Sequence, residues 1–295
     1  MNKAVIDLGT NTFNLIIASV SNRNIEVKFT TKEGVALGMG GINYGYIHED
    51  AIQRAVSCLK HFKQACDEWN VIEIKAIGTS AIRDAKNGQA FQKLIEKETG
   101  ITIEIIDGLR EVALIYKGIS YTYPFEKRSV IMDIGGGSTE FIIADRNGME
   151  NAVSLNIGVS RIFQLFKFQD PLNQTDIWQI EHYLERESQG FFDDKQVDVL
   201  VGASGSFETF YELTHNTSYP HGFETQTLVF DTFLQTLESI IHSTQAERDV
   251  NPFIIPIRKK MAPIAAVKTR WVIRKLGVKS LVISPCSLKE GALLE

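Results

Sequence analysis

Apolar residues recur along the chain in runs of strand length, and between them the spacing switches to a helical period. Strands are expected at 3–8, 13–20, 25–31, 72–78 and 101–106, each rich in Val, Ile or Phe and bounded by turn residues. From Asp50 to Trp69, Ile52, Ala55, Val56, Leu59, Phe62, Cys66 and Trp69 fall at helical spacing, with Asp50 as the expected N-cap. Further helices are expected at 88–99, ending at Gly100, and at 108–120, with Asp107 as a cap. The stretch YTYPFEKRS at 121–129 breaks the pattern with Pro124 and charge, and a domain boundary is placed there, giving 1–125 and 126–295. The second half restarts as the first did, with strands near 128–134, 139–145 and 150–156 and helices near 158–168 and 174–190. A strand at 197–202 leads into VGASGSFE, which reads as strand, tight turn and helix. Helices at 226–242 and 263–276, a strand at 279–283 and a helix from about 287 close the chain.

The restart is a duplication. Residues 5–20 read VIDLGTNTFNLIIASV and residues 131–146 read IMDIGGGSTEFIIADR. Laid on each other without a gap, Asp7 falls on Asp133, Gly9 on Gly135 and Thr12 on Ser138. Each copy is an apolar run, an aspartate, a small-residue turn and a second apolar run: a hairpin whose turn exposes backbone N–H groups beside a carboxylate. Such turns bind phosphate oxygens, and the carboxylate suits the Mg²⁺ that accompanies phosphate. Either motif alone is common; the matched offsets of two are what give the pattern weight. Strand-rich openings followed by helices, done twice, predict an α/β fold of two lobes around a ligand-binding cleft.

Composition narrows the class without adding chemistry. A chain of 295 residues, 44% hydrophobic and 23% charged, is ordinary for a globular protein and long enough for two domains. The net charge of −5 argues against general nucleic-acid binding. No apolar run approaches a membrane span, and the first residues enter a strand without a signal-peptide pattern. Cys58, Cys66 and Cys286 lack metal-ligand spacing and read as core residues, so a reducing cytoplasm is the expected location. The six histidines show no ligand or triad spacing.

Six segments then occur in an informative order: DLGTNT at 7–12, GTSAIRDAKNG at 78–88, EIIDGLREVALIYKG at 104–118, DIGGGSTEF at 133–141, SLNIGVSR at 154–161 and GASGS at 202–206. Together they resemble the exopolyphosphatase / guanosine pentaphosphate phosphatase family, part of the actin, hexokinase and heat-shock chaperone superfamily. The resemblance covers essentially the whole chain and extends to the closing SLKEGALLE. It implies two duplicated actin-like lobes and a Mg²⁺-dependent hydrolase acting on polyphosphate or guanosine pentaphosphate. Larger members continue into a helical extension, so a chain stopping at Glu295 resembles the short form. Ala36 stands where an arginine is frequent, KMAP at 260–263 where an Arg-Ala-Asp run is common, and Val112 where alanine is usual.

Cleaving a phosphoanhydride requires neutralised phosphate oxygens, an in-line water and a group that orients or deprotonates that water. Thr10, Asn11 and Thr12 in the first loop, and Gly135, Gly136, Gly137, Ser138 and Thr139 in the second, offer N–H and hydroxyl donors. Asp7, Asp133 and Glu140 are hard oxygen ligands for Mg²⁺, directly or through water. In the family the glutamate corresponding to Glu111 faces the terminal phosphate, which makes Glu111 the expected general base. A carboxylate in a first helical turn also serves simply as a dipole complement. Arg83 is the expected phosphate clamp, since a guanidinium grips phosphate bidentately, and Arg161 a second one. Their alternatives are ordinary ion pairs. Residues 256–279 carry eight basic side chains, Arg258 to Lys279, and no acidic one; they read either as a field that steers a polyanion or as a solvated helix face. A kinase of the same superfamily and a non-enzymatic sensor are the competing functions, and a homodimer is left open.

Overall fold

A computed structural model describes residues 1–295. The first lobe is built from β1 (Asn2–Leu8), β2 (Thr12–Ser21), β3 (Asn24–Gly34), α1 (Glu49–Glu68), β4 (Val71–Gly78), α2 (Ser80–Arg83), α3 (Gly88–Thr99), β5 (Ile103–Ile105) and α4 (Gly108–Ser120). The second holds β6 (Ser129–Ile134), β7 (Thr139–Asp145), β8 (Gly148–Leu155), α5 (Val159–Leu165), α6 (Gln174–Glu187), β9 (Val199–Ala203), α7 (Gly205–His215), β10 (Gln226–Leu228), α8 (Phe230–Ile241), α9 (Gln245–Val250), a short 3₁₀ turn at Pro256–Arg258, α10 (Ala262–Leu276), β11 (Ser280–Ile283) and α11 (Leu288–Leu293).

The duplication is a duplication of sheets. The first runs β3-β2-β1-β4-β5 and the second β10-β11-β9-β6-β7-β8. In each, three antiparallel strands from the hairpin repeat join parallel strands on the other side, β1 with β4 and β6 with β9. Parallel strands need covering on both faces. Accordingly, β6 is buried at every position, and one core cluster joins Val5 and Ile16 of the first sheet, Ile131 and Ile142 of the second, and Ile115 and Leu288 from α4 and α11.

Those two helices are packed between the sheets, and close backbone approach lets them cross. A Cβ on Gly118 of α4 would meet the Ser287 carbonyl at 1.9 Å, and one on Gly291 of α11 would meet the Leu114 carbonyl at 1.9 Å. Only glycine fits at either position. The C-terminal helix thereby returns to α4, β1 and β2, although β11, the strand that precedes it in the chain, belongs to the second sheet.

The expected elements are present with two differences and three additions. Residues 226–242 are not one helix: Gln226–Leu228 pair antiparallel with β11, and α8 starts only after extended Val229. Asp50 lies in the first turn of α1 rather than capping it, a position that still complements the helix dipole. The short α2, α9 and the 3₁₀ turn fall in stretches where no element was expected. Asp107 does cap α4, accepting from the Arg110 N–H at 2.7 Å.

Candidate active site

Both loops open onto one cleft, which is lined by Asp7, Thr10, Asn11, Thr12, Asp133, Gly135, Gly136, Gly137, Ser138 and Glu140. They touch across it. A Cβ on Gly136 would meet the Asn11 side chain at 2.9 Å, and one on Gly137 the Thr10 hydroxyl at 2.7 Å. The glycines of the second loop therefore let the two lobes approach. Their carbonyls are held from behind: Gly137 O accepts from the Gly158 N–H, Gly135 O from Val159 and Gly136 O from Ser160.

The aspartates end their strands as the repeat predicts, and each faces a cross-strand partner. Asp7 pairs with Asn14, whose amide donates to Oδ2 at 3.2 Å, while Asp133 pairs with Glu140. Asp133 also accepts from the Ser287 hydroxyl at 2.5 Å, and Glu140 from the Ser154 hydroxyl at 2.7 Å. Burial and neighbouring negative charge push the carboxyls upward: Asp7 to about 6, Glu140 to about 7, and Asp133 above its ordinary range.

Glu111 lines the same cleft from the first turn of α4, 6% exposed. Gly108 brings that turn against β8, since a Cβ there would strike Ser154 at 2.7 Å. Glu111 consequently feels Glu140. Burial first, and Glu140 second, raise its pKa well above the ordinary carboxylate range, opposed by a 2.9 Å hydrogen bond from Arg83 Nη1. A base poised nearer neutrality suits general acid–base work.

Three expected residues sit elsewhere. Arg83 is not in the cleft wall; it donates to Glu111, to the Ile106 carbonyl and to Asp84, which makes it the support of the glutamate rather than a free clamp. Arg161 is likewise engaged. It donates to the Gly137 carbonyl at 3.0 Å, the Ile42 carbonyl at 3.1 Å and Asp84 Oδ2 at 2.8 Å, tying the second loop to the first lobe. Thr139 is fully buried, its hydroxyl donating to the Ser138 carbonyl and accepting from Lys268.

The basic stretch at 256–279 is not a free positive surface. Arg270 pairs with Glu181 and Glu238, Arg274 with Glu181, Lys275 with Glu185 and Asp193, and Lys279 with Asp198. Only Arg258 faces the cleft. It hydrogen-bonds Thr209 at 3.0 Å and packs on the Gly205 backbone. The sequence did not single out Lys32, Glu208 and Lys289, which line the cleft too. Burial pulls Lys289 down, but Glu290, Glu208 and Asp7 override it and hold the ammonium above its ordinary pKa. A sign of this part was readable, because Ser287-x-x-Glu290 is a capping box and fixes the start of α11.

No three Asp, Glu, His or Cys side chains converge as a protein-only metal cage. The donor set nevertheless fits Mg²⁺, which usually takes one or two carboxylates and fills its shell with water and substrate phosphate. Asp7, Asp133 and Glu140 are desolvated hard ligands whose raised pKa values a cation would relieve.

Duplicated sheets, with paired loops and a buried glutamate lining the cleft between them, define an actin-like two-lobe α/β protein. The Ppx/GppA phosphatase family model matches residues 16–295, and the chain belongs to that family. An exopolyphosphatase from Cytophaga hutchinsonii superposes with a TM-score of 0.94 at 33% identity, covering 99% of this chain and 96% of that one. A bifunctional 3-dehydroquinate synthase/phosphatase of Fusobacterium nucleatum is 32% identical over 220 residues, which are 70% of this chain and 33% of that protein. A putative exopolyphosphatase of Haemophilus influenzae is 31% identical over 245 residues, 80% of this chain and 74% of that one. The chain spans less than half of some relatives, including 43% of a Vibrio parahaemolyticus guanosine-5'-triphosphate,3'-diphosphate pyrophosphatase, 30% identical over 216 residues. No helix is long and apolar enough to cross a membrane.

Proposed function

We propose that this protein is a Mg²⁺-dependent phosphohydrolase that releases orthophosphate from the end of inorganic polyphosphate. The observation that carries the reading is Glu111: buried, raised in pKa, braced by Arg83 and facing both phosphate loops at once. The likeness to the Cytophaga exopolyphosphatase over 99% of the chain supports the substrate class.

In this reading the terminal phosphate lies between the loops, with N–H groups of 10–12 and 135–138 on its oxygens. Arg83 keeps the Glu111 carboxylate aimed at the cleft, and Glu111 takes the proton of the water that attacks in line with the leaving phosphate. Lys289, Lys32 and Arg258 supply positive charge along the wall. Bound Mg²⁺, held by Asp7, Asp133 and Glu140 directly or through water, would offset negative charge on the phosphates.

One observation favours guanosine pentaphosphate as a second substrate. The cleft wall also includes Phe210, Ile257 and the Ser204–Gly205 turn, a partly apolar lining of the kind a nucleoside would contact. Orthophosphate release from polyphosphate, guanosine pentaphosphate and ATP, with and without Mg²⁺, tests the reading. The highest kcat/KM on polyphosphate is expected; release from none of the three contradicts it.

A further inference from the structure

Lys268 is the one lysine buried to 0% exposure, yet it lies outside the cleft. It sits in the middle of α10, flanked by Ala266, Val267 and Thr269, which are equally buried. Its ammonium donates to the Thr139 hydroxyl at 2.6 Å and to the Ile157 carbonyl at 2.5 Å. No carboxylate comes within ion-pair distance; Glu140 is the charge that acts on it from further off. A buried cation without a partner is costly and is ordinarily replaced or paired.

Both acceptors belong to the machinery of the second loop. Thr139 is the residue at which the loop 135–138 re-enters β7. Ile157 precedes Gly158, Val159 and Ser160, the three residues whose N–H groups hold the loop carbonyls. One ammonium thus joins the loop's exit to the segment that braces its back. Burial pushes its pKa down to about 7, with Glu140 pulling the other way. An anion in the loop favours the charged form in the same way.

We propose that Lys268 is a positioning residue for phosphate binding: it holds the loop 135–139 in its phosphate-receiving shape and has its counter-charge in the bound phosphate instead of a protein carboxylate. The proposal rests on the reading of the cleft as a phosphate site. It predicts an uncommon split. Removing the charge should leave the empty protein as stable as before or more so, while weakening the ligand-bound form.

The test is thermal unfolding of the full chain with and without Mg²⁺ and tripolyphosphate, beside steady-state kinetics on polyphosphate, for wild type, Lys268→Met and Lys268→Arg. Ligand that binds only the folded form raises Tm. Wild type should show that rise, Lys268→Met should lose most of it and show KM raised about tenfold with a smaller change in kcat, and Lys268→Arg should recover part of the KM. A Lys268→Met protein with the wild-type ligand shift and KM, whatever its unliganded Tm, overturns the proposal. Should Lys268→Met fail to fold, Thr139→Val decides, since it removes one acceptor; an unchanged KM there overturns the proposal too. A wild type that neither shifts with tripolyphosphate nor releases orthophosphate overturns the phosphate reading itself, and this inference with it.

Discussion

The two copies of the hairpin repeat share backbone and aspartate but differ at the position opposite that aspartate. In the first copy it is Asn14, a neutral amide that donates to Asp7. In the second it is Glu140, a like charge beside Asp133. One place earlier, the first copy has Phe13 buried in the core and the second has Thr139 bound to Lys268. The first copy thus has no like charge across its own strand pair, although burial and Asp133 still raise Asp7. The second stores repulsion and desolvated charge, which the proposed cation and phosphate would relieve. Duplication supplied the geometry twice, and divergence placed the larger share of the electrostatic load in the second copy, whose Glu140 acts on Glu111.

If that division holds, the largest effect belongs to the glutamate on the loaded side. Glu111→Gln keeps its size but cannot accept a proton, and turnover should fall by ~10²–10⁴-fold with polyphosphate binding retained. Steady-state assays and equilibrium binding on the same preparation check both halves of that expectation.

Next comes the aspartate comparison. Asp133→Asn should raise the Mg²⁺ concentration for half-maximal rate by about tenfold, and Asp7→Asn by less, because Asp133 sits with Glu140 as a charged pair. Equal midpoints for the two variants in a Mg²⁺ titration would erase the asymmetry.

A smaller effect lies in stability against pH. Glu140, raised from 4.5 to about 7, and Asp7, raised from 3.8 to about 6, are both more easily protonated folded than unfolded. Their contribution is therefore fully present below the unfolded pKa values and is lost as pH rises through the folded ones. Without Mg²⁺, Tm should decline between about pH 4 and pH 7 from these groups, and Glu140→Gln should flatten the upper part of that slope. A slope identical in Glu140→Gln would mean that Glu140 carries no such strain.

The smallest effect is expected from Arg270→Gln with Arg274→Gln. Both arginines are spent on Glu181, and Arg270 on Glu238 as well, so KM should change equally little for long and short polyphosphate. A selective loss on long chains would restore a polyanion path along α10.

That last case shows what the sequence could and could not tell. The strands, the repeat, the Asp107 cap and the loop residues follow from local periodicity and turn chemistry, which act over a few residues. The basic stretch looked unbalanced because its partners, Glu181, Glu185 and Glu238, lie on α6 and α8, tens of residues away. Arg161 looked like a clamp for the same reason: its acceptors on Ile42 and Asp84 are brought close only by the meeting of the lobes. Strand β10 escaped because three residues, Gln-Thr-Leu, carry no period, and its register is set by β11. Helix α9 was within reach, since Thr244 and Glu247 form a capping box.

The proposed reaction is attack on a terminal phosphate by water that Glu111 activates. It is tested most directly by the oxygen content of orthophosphate released from polyphosphate in ¹⁸O-labelled water, with Mg²⁺ present, for wild type beside Glu111→Gln. A single solvent oxygen is expected in each orthophosphate released by wild type, and almost no release by the variant. Orthophosphate without solvent oxygen, or a variant that releases it at the wild-type rate, would contradict it.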